Sequence, residues 1–257
     1  METTTRQISG VLFDLGDTLL RFGKVDTRGL FEQGAELAYA YLRSLGKPVP
    51  DFARFHRRQL RAVRWNVLVS RLTRREFNAL DVLTRQSRRM DHDLTDAEAA
   101  ELAWKWYKPL RDRGAVAPGT FEALRRLRDD GLTLGLVSNT FIPGQVLDRH
   151  LAEEGLLELL PIRVYSCDVR YRKPHPKIFA IGCERTALAP QQALFVGDSL
   201  RADIYGANRA GLVSVLLDPD DEHADPRWRP RHRIAALSEL PDVVAAYAGC
   251  ETKQEDR

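Results

Sequence analysis

Val11-Leu12-Phe13-Asp14-Leu15-Gly16-Asp17-Thr18-Leu19 is an apolar, β-prone run that breaks off into a turn carrying two carboxylates and a hydroxyl. A strand apolar at successive positions is buried on both faces, as in a parallel α/β sheet. Reactive groups in such sheets gather outside the carboxyl ends of strands, and an aspartate there with no adjacent base suggests a nucleophile or a metal ligand. Asp, Gly and Thr are also ordinary turn residues, so the segment alone reads equally well as a polar turn.

The design recurs late in the chain, in Ala193-Leu194-Phe195-Val196-Gly197-Asp198-Ser199, followed by Asp203. Adjacent parallel strands would bring Asp14 and Asp198 to one sheet edge. Three close carboxylates resist joint ionisation; a divalent cation removes that penalty, and oxygen-only ligands favour Mg²⁺ over zinc. Two more segments complete the pattern. Leu134-Gly135-Leu136-Val137 runs into Ser138-Asn139-Thr140, a strand ending in small hydrogen-bond donors, and Arg172-Lys173-Pro174-His175-Pro176 holds a lysine between a loop and a helix start. Standing alone, that lysine reads as a solvated surface residue.

In this order the four segments resemble the haloacid dehalogenase-like hydrolase superfamily, most of whose members are Mg²⁺-dependent phosphatases. The resemblance covers the start of the chain and most of residues 115–217. It implies that Asp14 attacks phosphorus and becomes an aspartyl phosphate, while Ser138, Asn139 and Lys173 surround the transferring phosphoryl group. Thr18 is grouped with these phosphate-binding residues, fixing its turn by local hydrogen bonding. Mg²⁺ would be held by Asp14, the backbone carbonyl of Gly16, Asp198 and Asp203.

The pattern departs at one place. The residue two after the nucleophile is usually an aspartate that protonates the leaving oxygen and then activates water; here it is Gly16, and an acid sits one place later at Asp17. Three readings stay open. In a phosphatase, Asp17 or a Mg²⁺-ordered water replaces the missing acid/base, whose loss costs about 10²–10⁴ in rate and is tolerable for acyl or anomeric phosphates. A 2-haloacid dehalogenase also lacks the second aspartate and needs no metal, but that branch lacks the Gly-Asp-Ser motif. The third reading is a non-catalytic or regulatory Mg²⁺-binding protein.

With 257 residues and a net charge of +3, the chain can bury a full core and carry a second small domain, and its charge names no nucleic-acid partner. Cys167, Cys183 and Cys250 lack metal-ligand spacing and read as reduced thiols. No stretch approaches the roughly 18 apolar residues of a membrane span. The expectation is a cytoplasmic enzyme acting on a small phosphorylated metabolite, with neither nucleic acid nor membrane as partner and its oligomeric state open.

Residues 1–20 and 115–250 are expected to form a discontinuous Rossmann-like core, a mostly parallel sheet flanked by helices, with an all-helical cap over 21–114 and a disordered tail over 251–257. The inserted stretch far exceeds the about 15 residues beyond which structureless loops are uncommon, and its apolar spacing predicts helices over 31–45, 52–72, 76–90 and 96–110. Arg54, Arg57, Arg58, Arg61, Arg64, Arg71, Arg74 and Arg75 crowd one part of it. They read first as a solvated helix face and second as an anion-steering surface. Trp65, Trp104, Trp106 and Tyr107 read as core before pocket. Arg21 or Lys24, leading out of the catalytic loop, are candidates to touch substrate. Beyond the motifs, a helix is expected over 120–129, a strand over 213–217 and an irregular loop over 218–230 whose acids lie at no strand end. A strand near Ile234 and a helix over 241–248 close the core. His56, His150, His223 and His232 show no ligand spacing.

Overall fold

The computed structural model describes residues 7–73, 75–221, 225 and 227–248; Arg74, His223, Cys250 and residues 251–257 lie outside them. Along the chain run β1 (Gly10–Phe13), β2 (Leu20–Arg21), α1 (Thr27–Ser44), α2 (Phe52–Thr73), α3 (Ala79–Arg88), α4 (Asp96–Arg111), β3 (Ala115–Val116), α5 (Thr120–Asp129) and β4 (Thr133–Ser138). Then follow α6 (Gly144–Glu153), β5 (Ile162–Tyr165), α7 (Ser166–Val169), α8 (Pro176–Thr186), β6 (Ala193–Gly197), α9 (Tyr205–Ala210), β7 (Val213–Leu217), β8 (His232–Ile234) and α10 (Leu240–Ala248). A six-stranded sheet in the order β5-β4-β1-β6-β7-β8 is parallel throughout, where a mostly parallel one was expected.

β1 lies between β4 and β6, so Val11, Leu12 and Phe13 are all fully buried. Val11 and Phe13 face one core layer, while Leu12 faces the other with Val137, Phe179 and Phe195, the alternation a strand imposes. Burying each such side chain contributes roughly 1.5–3 kcal/mol. Phe13 pairs with both Leu136 and Val196. The three strands therefore stop at one level, and Asp14, Ser138 and Asp198 leave them side by side. The chain moves outward from β1 to β4 and β5, then returns to β6 on the other side of β1. That reversal is the switch point at which open α/β sheets hold ligands.

Between β2 and β3 the chain is helical. α1 begins at Thr27, ahead of the expected start, because the Asp26 carboxylate accepts the Arg28 N–H at 3.0 Å. α4 begins as expected, with Thr95 and Glu98 in a reciprocal capping box. α3 is shorter than expected: Asn78 caps it, and Glu76 and Phe77 stay outside the helix and turn to the core. β2 and β3 pair antiparallel at the neck of the insertion, closing it with a short ribbon.

α5 and β7 occupy the expected spans, and β8 with α10 closes the far edge of the sheet. One expectation is corrected. Asp218 directly follows β7 and so does sit at a strand end, yet it is buried against Arg233 at 2.7 Å, two strands away from β1. Its charge is matched there, in a structural pair. No helix among the described residues is long and apolar enough to cross a membrane.

His150 on α6 is wholly buried, with its Nδ1 2.8 Å from the Tyr107 hydroxyl on α4, joining core to insertion. Burial, then the nearby Arg111, lowers it from 6.5 to about 4. The unfolded chain takes up this proton first as pH falls, so stability present at neutral pH is lost between about 6.5 and about 4. The loss is about 3 kcal/mol. Urea unfolding between pH 7.5 and 5 is expected to show a steeper decline in the wild type than in His150→Gln; equal slopes would contradict the assignment.

Candidate active site

Asp14 emerges from β1 almost buried, its backbone N–H donating to the Val196 carbonyl at 2.9 Å. The Lys173 ammonium, itself 3% exposed, reaches it from the loop before α8: Nζ lies 2.6 Å from Asp14 Oδ1 and 2.6 Å from Asp203 Oδ1. Nζ also stands 5.1 Å from the centre of the Phe195 ring. Asp203 is held from its other oxygen, which accepts the Ser199 N–H at 3.0 Å. This requires Gly197, where a Cβ would overlap the Asp203 carboxyl group. Asp198 follows β6 directly, and Thr18 donates its hydroxyl to Asp198 Oδ1 at 3.4 Å. The hydrogen bond of Thr18 thus crosses to the other motif, where a local one was expected.

Asp14, Asp198 and Asp203 each offer an oxygen within 4.8 Å of the others. Burial, then the neighbouring Asp14, pushes Asp198 up to about 6. Burial also raises Asp203, against the opposing pull of Lys173. For Lys173, burial alone would lower its proton affinity, but Asp14 and Asp203 outweigh it and hold the side chain as an ammonium. Three carboxylates against one ammonium leave a formal deficit of two positive charges. A hard divalent cation fits that deficit and this all-oxygen donor set.

Ser138, 5% exposed at the end of β4, borders the same cavity. Asn139 also holds the lysine loop: its carbonyl oxygen accepts the Lys173 N–H at 2.7 Å and its amide donates to the Lys173 carbonyl at 3.0 Å. Both ends of the side chain clamp the lysine loop, while the residue itself borders the cavity above Asp14. Asp17 is exposed with φ of 56°, a left-handed position that Asp tolerates, and one carboxylate oxygen accepts the Phe22 N–H at 3.2 Å. A Cβ on Gly16 would meet nothing nearer than Phe22 Cε2 at 3.8 Å, so the missing aspartate is not excluded by space.

A cavity of about 990 Å³ rises from this floor into the insertion. Arg21 and Lys24 do not border it; Phe22 and Arg28 do. Of the tryptophans, Trp106 borders it with Tyr107, whereas Trp104 is covered by the Arg149 guanidinium at 4.0 Å and Trp65 is 66% exposed. Of the arginine cluster, Arg64 and Arg71 reach the cavity.

Glu76 ties the insertion to the core, a role that its sequence neighbourhood conceals. Almost buried, it accepts from Ser70 at 2.8 Å and from Ser166 at 3.4 Å, and pairs with Arg172 at 3.6 Å. Ser166 in turn accepts the Thr140 N–H at 2.8 Å, and Arg75 bridges to Tyr171. The insertion is thereby stitched to both the Ser138-Asn139-Thr140 loop and the Arg172-Lys173 loop.

A family model for haloacid dehalogenase-like hydrolases matches residues 8–211. A ribulose-1,5-bisphosphate 5-phosphatase from Halopiger xanaduensis is 26% identical over 252 residues, spanning 92% of this chain and 99% of the relative. A phosphoglycolate phosphatase from Escherichia coli is 32% identical over 222 residues, spanning 82% of this chain and 81% of the relative. Among solved structures, a phosphatase of the same superfamily from Thermococcus onnurineus aligns with a TM-score of 0.59 at 27% identity, covering 92% of this chain and 98% of its own. The chain belongs to the haloacid dehalogenase-like hydrolases, and these curated relatives are phosphatases of that family.

Proposed function

We propose that this phosphatase-type hydrolase cleaves small phosphorylated metabolites through an aspartyl phosphate on Asp14, with Mg²⁺ held by Asp14, the Gly16 carbonyl, Asp198 and Asp203. The observation that carries the reading is the buried Lys173 ammonium, 2.6 Å from the carboxylates of both Asp14 and Asp203, with Asp198 in the same cluster. The activities of the relatives, on phosphoglycolate and ribulose-1,5-bisphosphate, support the substrate class.

Bound at this cluster, a divalent cation would offset charge on the phosphoryl oxygens. Lys173 offsets it from the other side and, 2.6 Å from the Asp14 carboxylate, positions that group for attack on phosphorus. The Ser138 hydroxyl donates to a phosphoryl oxygen, Asn139 fixes the lysine loop, and Thr18 fixes Asp198. Phosphoryl transfer asks for this kind of positioning and charge neutralisation more than for further covalent chemistry.

The departure at Gly16 selects among esters. With Gly16 where the family pattern has an aspartate, and one Asp17 oxygen engaged by the Phe22 N–H, proton donation to the leaving oxygen is weakened. Weakly basic leaving groups are favoured: acyl, anomeric or phenolic oxygens. Hydrolysis of para-nitrophenyl phosphate is expected to require Mg²⁺ and to stop in EDTA. In parallel, Gly16→Asp is expected to raise turnover of a simple alkyl phosphate about 10²-fold while changing the aryl phosphate far less. Hydrolysis indifferent to EDTA, or metal-free halide release from a haloacid, would overturn the reading.

A further inference from the structure

The cavity above Asp14 is far larger than a two- or three-carbon phosphate needs. At about 990 Å³ it lies at the upper end of the about 300–1,000 Å³ that enclose drug-sized ligands. One wall is a run of aromatic rings drawn from three parts of the chain. Phe31 on α1 meets Trp106 on α4 edge to face, with centroids 5.1 Å apart, and Trp106 meets Phe141, just past the Ser138 loop, at 6.2 Å. Val63 and Val67 on α2 add aliphatic surface.

The same helix brings Arg64 and Arg71 to the cavity, both exposed and therefore at its rim. Seven residues apart, they share a helix face and are separated by about 10 Å along the axis. Among the described residues no carboxylate pairs with either, whereas Arg172, which also borders the cavity, is bound by Glu76 and Ser70. Guanidinium groups that no described carboxylate engages, standing beside an apolar wall, form a receptor for an anion attached to an apolar body.

We infer that the substrate is an aryl phosphate bearing a second anion, its ring against Phe31, Trp106 and Phe141 and its distal anion on Arg64 and Arg71. The inference rests on the phosphatase reading above and narrows it. A phenolic leaving group also matches Gly16, because an aryl oxide leaves without a donated proton more readily than an alkoxide. The bonds balance simply. Asp14 forms a bond to phosphorus as the aryl oxide leaves with its electron pair; water then cleaves the aspartyl phosphate, giving phosphate and, after the aryl oxide takes a proton from solvent, the phenol.

The test compares kcat/KM with Mg²⁺ for phosphoglycolate, phenyl phosphate, biphenyl phosphate, and biphenyl phosphates ending in a carboxylate or a phosphonate. The two charged arms tell which anion is read. Wild type is expected to favour a charged biphenyl ester over the uncharged one by about ten-fold or more. Arg64→Ala with Arg71→Ala is expected to bring that ratio close to one, while Arg58→Ala, on the same helix but away from the cavity, retains it. A preference for phosphoglycolate over every aryl ester, or a ratio that survives the double substitution, would overturn the inference while leaving the phosphatase reading intact. No turnover of any ester would overturn both.

Discussion

Asp14→Asn is expected to lower kcat by about 10⁴-fold or more, the scale at which removal of a nucleophile acts. An amide oxygen does not attack phosphorus, so no aspartyl phosphate forms. The fold is expected to survive. Asn has the same shape, its oxygen can accept from Lys173 Nζ where the carboxylate now does at 2.6 Å, and its neutrality removes one source of repulsion on Asp198. Turnover of para-nitrophenyl phosphate and thermal melting in EDTA measure the two parts separately. Wild-type turnover in a folded Asp14→Asn protein would remove Asp14 from its role.

Lys173→Met is expected to destabilise the metal-free protein by about 3–5 kcal/mol, since breaking a buried ion pair strands its partner charge. Two partners are stranded here: Asp14 and Asp203 both lie 2.6 Å from the ammonium, in surroundings that are almost closed to water. A divalent cation supplies the missing charge, so Mg²⁺ is expected to raise the melting temperature of the variant more than that of the wild type. Urea and thermal unfolding, in EDTA and in Mg²⁺, give the comparison. Equal shifts in both proteins would contradict the shared role of lysine and cation.

The sheet was legible because its central strands are apolar at successive positions, and a run such as Val11-Leu12-Phe13 has no other economical reading. Asp14, Ser138 and Asp198 were legible as candidates because each stands at the end of such a strand, whereas Lys173, just ahead of Pro174 and Pro176, stood out only through the order of the four segments. What stayed hidden depends on side chains meeting across long separations. Thr18 reaches Asp198, and Asn139 grips a lysine backbone 34 residues away. Neither contact leaves a periodic trace. The arginines of α2 were hidden for another reason: apolar residues lie on both sides of the helix, Val63 inward and Leu72 76% exposed, so spacing alone does not fix its rotation. Glu76, a lone acid after many arginines, resembles a solvated charge until its core partners are seen.

A rigid body fastened at one place keeps three rotations, and each further fastening removes more of them. The helical insertion is fastened at the β2–β3 ribbon, where Tyr107 on α4 meets His150 on α6, and where Arg75 and Glu76 enter the core. The last of these lies on the two loops that carry Ser138 and Lys173. Movement of the insertion as one piece therefore has to strain or open a fastening, and one of the fastenings is built on the loops that border phosphorus.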